Sequence, residues 1–278
     1  MGAPGGGRRK HAPPPGAPTP PGSAAAPPDA PTAMNNATGK RLLALIRDGD
    51  CAHPGEETAN ELLFAGVDPD PRRRVLDAGC GGAGTAAWVH HRGLGAVTGI
   101  ELDPATVRLA RERHPDVTVV EGDLQRAREA LAGHFDVVYS MTAIYAAPDP
   151  AAVFRELRAL AVPGAELRLL EYADPEGRFA QAASGSTSWS WWRPLAPRDL
   201  PEILTAAGWT GVSVTDLHPE FVHWYRDLCE RIAARRDAIV REFGRDWYEF
   251  VAREYAGILE LVWSRVLGGV LVHARAVT

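Results

Sequence analysis

The sequence predicts an α/β fold, and three observations carry that reading. Apolar runs of strand length recur at Val75 to Ala78, Ala96 to Ile100, Val117 to Val120, Phe135 to Ser140 and Glu166 to Leu170. Segments with apolar residues at helical spacing separate them, as in a layered sheet with covering helices. The first run breaks directly into Gly79-Cys80-Gly81-Gly82-Ala83-Gly84 and then into a helical pattern, which reads as strand, tight turn and helix start. Alternation by itself reaches no further than α/β.

The 278 residues suffice for one large domain or two small ones, and 45% are hydrophobic, as in a globular chain. Residues 1–37 are proline, glycine and alanine with almost no large apolar side chain. Such a segment buries too little surface to offset ordering, so a disordered tail is expected. Arg8-Arg9-Lys10 leads into prolines rather than an apolar core, which does not fit a secretory signal. Met34, just before the first helical pattern, stands as an alternative start.

From Lys40 a short amphipathic helix carries Leu42, Leu43, Leu45 and Ile46 and stops at Asp48-Gly49-Asp50. His53-Pro54-Gly55-Glu56 forces a turn before a second helix through Leu62, Leu63 and Phe64; this cap over 40–66 either covers a ligand or merely connects. Helices over about Thr85 to His91 and Ala105 to Arg113 alternate with the early strands. A helix from Ala151 to Leu160 and a turn at Val162-Pro163-Gly164 precede the fifth strand. After a polar loop, a helix over Arg198 to Ala207 is closed by Gly208, and Val212 to Thr215 reads as a strand. Two long amphipathic helices follow, one with Phe221, Trp224, Tyr225, Leu228 and Ile232 on a face, the other with Val251, Tyr255, Ile258 and Val262. Gly269 to Ala274 closes the chain as a strand. The substrate-side loop and C-terminal helices span 177–267 of a domain over 38–278.

The net charge of −5 and the absence of a basic stripe after residue 40 argue against nucleic acid. No apolar run approaches a membrane span. Cys51, Cys80 and Cys229 form neither a CxxC pair nor a disulfide framework, which points to a reducing, cytoplasmic setting and no metal site.

Glycines serve the first turn because it needs backbone angles other residues avoid and because a ligand must lie against the main chain. The N–H groups at the following helix start favour an anion. The spacing of Gly79, Gly81 and Gly84 alone fits a nicotinamide or flavin dinucleotide equally well. Asp77, two residues before the first glycine, separates the readings: its carboxylate repels a pyrophosphate and suits a ligand carrying an ammonium and a sulfonium. With this D-x-G-C-G form the chain resembles the class I S-adenosylmethionine-dependent methyltransferases. The resemblance implies a Rossmann-like, seven-stranded, mainly parallel sheet with helices on both faces and one reversed edge strand. It implies S-adenosyl-L-methionine as cofactor, held by Asp77, Gly79, Cys80, Gly81, Glu101, Leu102, Asp123, Leu124 and Ser140. Glu101, 22 positions after Gly79, stands where a second strand ends beside a ribose. Asp123 can accept the adenine amino group, with Leu124 as an apolar wall, or simply cap the next helix.

The turn before Glu57, the strand Phe135 to Ser140, Glu171-Tyr172 and the closing helix pair look like the phosphoethanolamine and sarcosine/dimethylglycine N-methyltransferase group. That group carries Ser-Pro-Gly-Gly in the turn, and Arg-Asp with a following histidine after strand four. This chain has His53-Pro54-Gly55-Glu56, and Met141, Thr142 and Ala146. Shared architecture with different amine-handling groups is the expectation. Tyr145 and Glu171 are the candidate catalytic residues, Glu171 as a general base or else a solvated acid at a strand end. Tyr145, Tyr172, Trp191 and Trp192 are the candidate substrate residues, as an aromatic box for a cationic acceptor or intermediate; loop tryptophans capping the core or a homo-oligomer interface are the alternative. The favoured function is methylation of a small molecule, an amine or specialised metabolite. The competing readings are a prenyl diphosphate C-methyltransferase, with Arg178 or Arg193 at the diphosphate, and a non-catalytic cofactor-binding regulator.

Overall fold

The computed structural model describes residues 33–278, so most of the expected 1–37 tail lies outside the described residues. Residues 33–37 of the expected tail are structured: Ala33–Asn35 is a 3₁₀ turn, Ala33 is buried, and α1 (Ala37–Arg47) starts from the Asn36 cap, whose side chain accepts from Gly39 N–H. The elements then run α2 (Glu56–Leu63), β1 (Arg74–Ala78), α3 (Gly84–His91), β2 (Ala96–Glu101), α4 (Pro104–Arg113), β3 (Thr118–Glu121), α5 (Ala127–Ala130) and β4 (Phe135–Met141). They continue through α6 (Pro150–Leu160), β5 (Ala161–Ala173), α7 (Phe179–Ala182), α8 (Leu200–Ala206), β6 (Trp209–Asp216), α9 (His218–Ala234), α10 (Arg236–Phe243), α11 (Arg245–Trp263) and β7 (Gly268–Ala276).

The seven strands form one sheet in the order β3-β2-β1-β4-β5-β7-β6. β1 pairs in parallel with β2 and β4, so the sequence order reverses there and a crevice opens at the carboxyl ends of the strands. The reversed strand is β7, antiparallel to both β5 and β6. It therefore sits one place in from the edge, not at the edge as expected, because the chain returns from the C-terminal helices to pair β7 with β5 on one side and with the earlier β6 on the other. The turn expected at residues 162–164 is absorbed into β5, whose pairing with β4 slips between Phe135 and Val137. Where two long C-terminal helices were expected, the short α10 intervenes, set off from α11 by Gly244 at positive φ.

Alternation along the strands sends side chains to two cores. Val75, Val97, Val119, Val137 and Tyr139 pack under α1 to α4 and α9 to α11, whereas Leu76, Ile100 and Val138 pack against α5, α6 and α8. All the N-terminal cap and the C-terminal helices thus share one face of the sheet. No helix among the described residues is long and apolar enough to cross a membrane, and no metal-binding group is found among them.

Candidate active site

A cavity of about 740 Å³ lies at the carboxyl ends of β1, β2 and β4, roofed by α1 and the 48–55 segment. Gly79 and Gly81 take φ of 85° and 53°, and a Cβ at Gly79 would overlap Ala143, so the turns after β1 and β4 meet main chain to side chain. That contact sets the floor. Expected site residues Asp77, Gly79, Cys80, Gly81, Glu101, Leu102, Asp123 and Leu124 all line the cavity. Leu102 is 66% exposed, a large apolar side chain presented to an open cleft.

The acids are held in different ways. Asp77 is buried, and its Oδ2 accepts a 2.7 Å hydrogen bond from the Tyr139 hydroxyl. Burial pushes its pKa up to about 7, opposed by that hydrogen bond, and the nearby Glu101 raises it further. A cationic group placed beside it would favour the charged form. Glu101 Oε2 accepts from Gly81 N–H at 3.0 Å, and Oε1 accepts from Leu102 and Asp103 N–H at 2.8 and 2.9 Å. Its carboxylate faces the ligand side of the glycine turn. Asp123 does cap the following turn, accepting from Gln125 N–H at 2.9 Å, while still lining the cavity. A cleft with acids at three successive strand ends, two glycines at positive φ and an exposed leucine fits a cationic adenosyl ligand.

Ser140 is placed differently. It is fully buried, its Oγ lies 2.7 Å from Glu171 Oε1, and it does not line the cavity. Glu171 is also fully buried rather than solvated, and it too stays off the cavity wall. Oε1 accepts from the main-chain N–H groups of Ala143 and Ile144, both at 3.1 Å, as well as from Ser140. Burial pushes its pKa up to about 7. These bonds anchor the turn after β4, with Thr142 at positive φ, and hold the carboxyl underneath the loop that carries Tyr145, while Oε2 has no hydrogen-bond partner among the described residues.

The expected aromatic box divides in two. Tyr145 and Trp191 line the cavity with ring centroids 6.0 Å apart. Tyr172 and Trp192 are buried behind Tyr145, at 4.9 and 4.6 Å, and do not line it. They are core aromatics that fix the orientation of the Tyr145 ring. Burial raises the Tyr145 phenol, which also bonds the Asn35 side chain, so it acts as a neutral hydroxyl. Trp189 packs against Gly257 and donates to Glu254. Arg178 pairs with Glu176, Arg193 donates to main-chain carbonyls, and neither lines the cavity.

Several wall residues escaped the sequence reading: Asn35, Asn36, Lys40, His53 and Thr85. His53 is buried with Nδ1 3.2 Å from the Pro54 carbonyl and Nε2 2.8 Å from Thr85 Oγ1; the Nδ1–H tautomer satisfies both, accepting from the threonine. Burial pulls its pKa down to about 4, so the ring is neutral. Glu56, which departs from the glycine of the resembled turn, pairs with Arg47 of α1 and with Arg231 of α9 at 2.9 Å, while Arg47 also donates to the His53 carbonyl at 2.8 Å. The His-Pro-Gly-Glu signal was present, but the partners lie too far along the chain for spacing to reveal them.

Residues 75–164 match the family described as methyltransferase domain. A ubiquinone biosynthesis O-methyltransferase from Hahella chejuensis is 37% identical over 101 residues, 35% of this chain and 42% of the relative. The chain spans about half the length, or less, of the curated relatives it matches. Among solved structures, phosphoethanolamine N-methyltransferase 2 of Haemonchus contortus with S-adenosyl-L-methionine gives a TM-score of 0.80 at 19% identity, covering 88% of this chain and 58% of that one. A Galdieria sulphuraria protein assigned as a sarcosine dimethylglycine methyltransferase gives 0.70 at 15% identity, covering 80% and 85%. At these identities the structures speak for the fold, and the strand order of this chain agrees with it.

Proposed function

We propose that this chain, a class I S-adenosylmethionine-dependent methyltransferase by domain and fold, transfers the cofactor's methyl group to a small molecule, with an amine as the favoured acceptor. One observation carries the reading. The cavity lined by Asp77, Glu101 and Asp123 is also lined by Tyr145 and Trp191, which supports one enclosure for an adenosyl ligand and a second small molecule.

The cofactor supplies an activated methyl group, and displacement of that group needs alignment and exclusion of water more than it needs acid or base. Asp77 would hold the ammonium, Glu101 the ribose hydroxyls, and Asp123 with Leu102 and Leu124 the adenine. Tyr145, braced by Tyr172 and Trp192, would set the approach of the acceptor, and Trp191 would offer a ring face worth about 0.5–2 kcal/mol to a cationic product. His53 is neutral and already bonded to Thr85, and Glu171 lies beneath the loop, so neither stands ready to take a proton from a hydroxyl. An uncharged amine attacks with its own lone pair and needs no such base. That is the support for nitrogen over oxygen. Against a prenyl diphosphate, Lys40 is the only Lys or Arg side chain among the described cavity-lining residues. The three free cysteines suit a reducing, cytoplasmic setting.

The test is transfer of labelled methyl from S-adenosylmethionine to a panel of secondary and tertiary amines, phenols and prenyl diphosphates. Labelling among the amines supports the proposal. Labelling confined to phenols or diphosphates moves the acceptor class, and cofactor binding without transfer to any extract leaves the regulatory reading.

A further inference from the structure

The glycine turn leads into α3, whose first N–H groups are the expected seat for an anion. The structure narrows that seat without removing it from the cavity wall, which Gly84 and Thr85 both line. The Asp50–Cys51 peptide packs so tightly on Gly84 that a Cβ there would overlap it, and Asp50 also lines the cavity. The cofactor's amino-acid end carries a carboxylate as well as an ammonium, and a cation facing the same turn would complete the site for that anion.

Lys40 supplies a cation nearby. It projects from α1 over the turn, with Nζ 3.5 Å from where a Gly81 Cβ would stand, and it lines the cavity. Each neighbouring acid is already engaged. Glu101 accepts three main-chain N–H groups, Asp103 Oδ2 accepts from Thr106 N–H and Oγ1 at 2.7 Å each, and Asp50 pairs with Arg113 and with His114. The Lys40 ammonium makes no hydrogen bond or ion pair with any described residue, and the main-chain N–H of Lys40 donates to the Asn36 carbonyl at 2.9 Å. A half-buried ammonium without a partner, pointing into a ligand cavity, is costly unless the ligand completes it.

We infer that Lys40 is the cofactor's carboxylate-binding residue, so that α1 selects an amino-acid nucleoside over a nucleoside lacking that anion. The inference rests on the cofactor reading above and extends it to one atom of the ligand. It also gives α1 a function beyond covering the cleft: the helix closes on the anion it neutralises.

The experiment is titration calorimetry of the full chain with S-adenosylmethionine and with decarboxylated S-adenosylmethionine, which differ only in the carboxylate. Wild type should bind the carboxylated form more tightly. Lys40→Gln should weaken that form about 10–100-fold, the scale of a lost charge-assisted hydrogen bond, and leave the decarboxylated form within about twofold; Lys40→Arg should restore most of the preference. Equal loss for both ligands would place Lys40 at the ribose or in the fold and overturn the inference alone, as would no loss for either. A folded wild type that binds neither ligand would overturn the cofactor reading and this inference with it.

Discussion

Tyr139 of β4 donates a 2.7 Å hydrogen bond to Asp77 Oδ2 on the neighbouring strand β1, joining the two strands at the point where the sheet order reverses. The bond holds a buried carboxyl in one orientation toward the cavity. It also stabilises the charged form against burial, which dominates and leaves the pKa at about 7. Cofactor affinity should therefore fall as pH drops through about 7, because the protonated acid must lose its proton to receive an ammonium. Tyr139→Phe should move that midpoint upward. Calorimetry between pH 6 and 8.5 checks both, and an affinity flat across the range would remove Asp77 from ammonium binding.

The same shift makes Asp77 a cost to the empty fold. Its folded pKa lies above the ordinary carboxylate value, so the contribution of Asp77 to stability is most favourable below about pH 4 and is lost as pH rises from there through about 7. Asp77→Asn should raise Tm at pH 8 by about 2–4 °C while abolishing cofactor binding. A lower Tm at pH 8 would show that the ionised carboxylate stabilises the fold instead.

Glu171 Oε1 anchors main chain, and we propose that this, rather than proton transfer, is its role. Glu171→Gln retains an oxygen for the N–H groups of Ala143 and Ile144 and should keep turnover within about tenfold of wild type. Glu171→Ala leaves those donors buried and unpaired and should destabilise by about 2–5 kcal/mol in urea titrations. A folded Glu171→Gln protein that loses about 10²–10⁴ in turnover would return Glu171 to the role of base.

The two adjacent tryptophans should separate cleanly. Trp191→Ala should weaken acceptor binding and spare stability and cofactor affinity. Trp192→Ala removes a buried ring stacked with Phe179 and packed on Tyr145 and Tyr172, and should cost about 3–5 kcal/mol of stability. Denaturation curves beside KM values test the pair, and comparable stability loss in both would merge them into one core.

The cavity wall around the glycine turn was legible because its parts are local: a strand end, a glycine turn and an acid at the next strand end are fixed by a single βαβ unit. The resemblance supplied the seven strands. The position of β7 inside the sheet was not legible, since alternation carries no information on pairing order. The acceptor side failed for a related reason. Trp191 and Trp192 differ by one residue, and only tertiary packing sends one ring to the cavity and the other to the core. Glu171 stands at the strand end the sequence indicated, but the turn after β4 folds over it. Lys40 marks only the start of an amphipathic helix in the sequence, and its place over Gly81 comes from the packing of α1.

The most direct test of the cofactor assignment is calorimetry with S-adenosylhomocysteine and with NAD⁺, on wild type and Glu101→Ala. Wild type should bind S-adenosylhomocysteine at one site and give no heat with NAD⁺, and Glu101→Ala should weaken binding by about 1–3 kcal/mol through loss of the ribose contacts. Saturable binding of NAD⁺, or S-adenosylhomocysteine affinity unchanged in Glu101→Ala, would contradict the assignment.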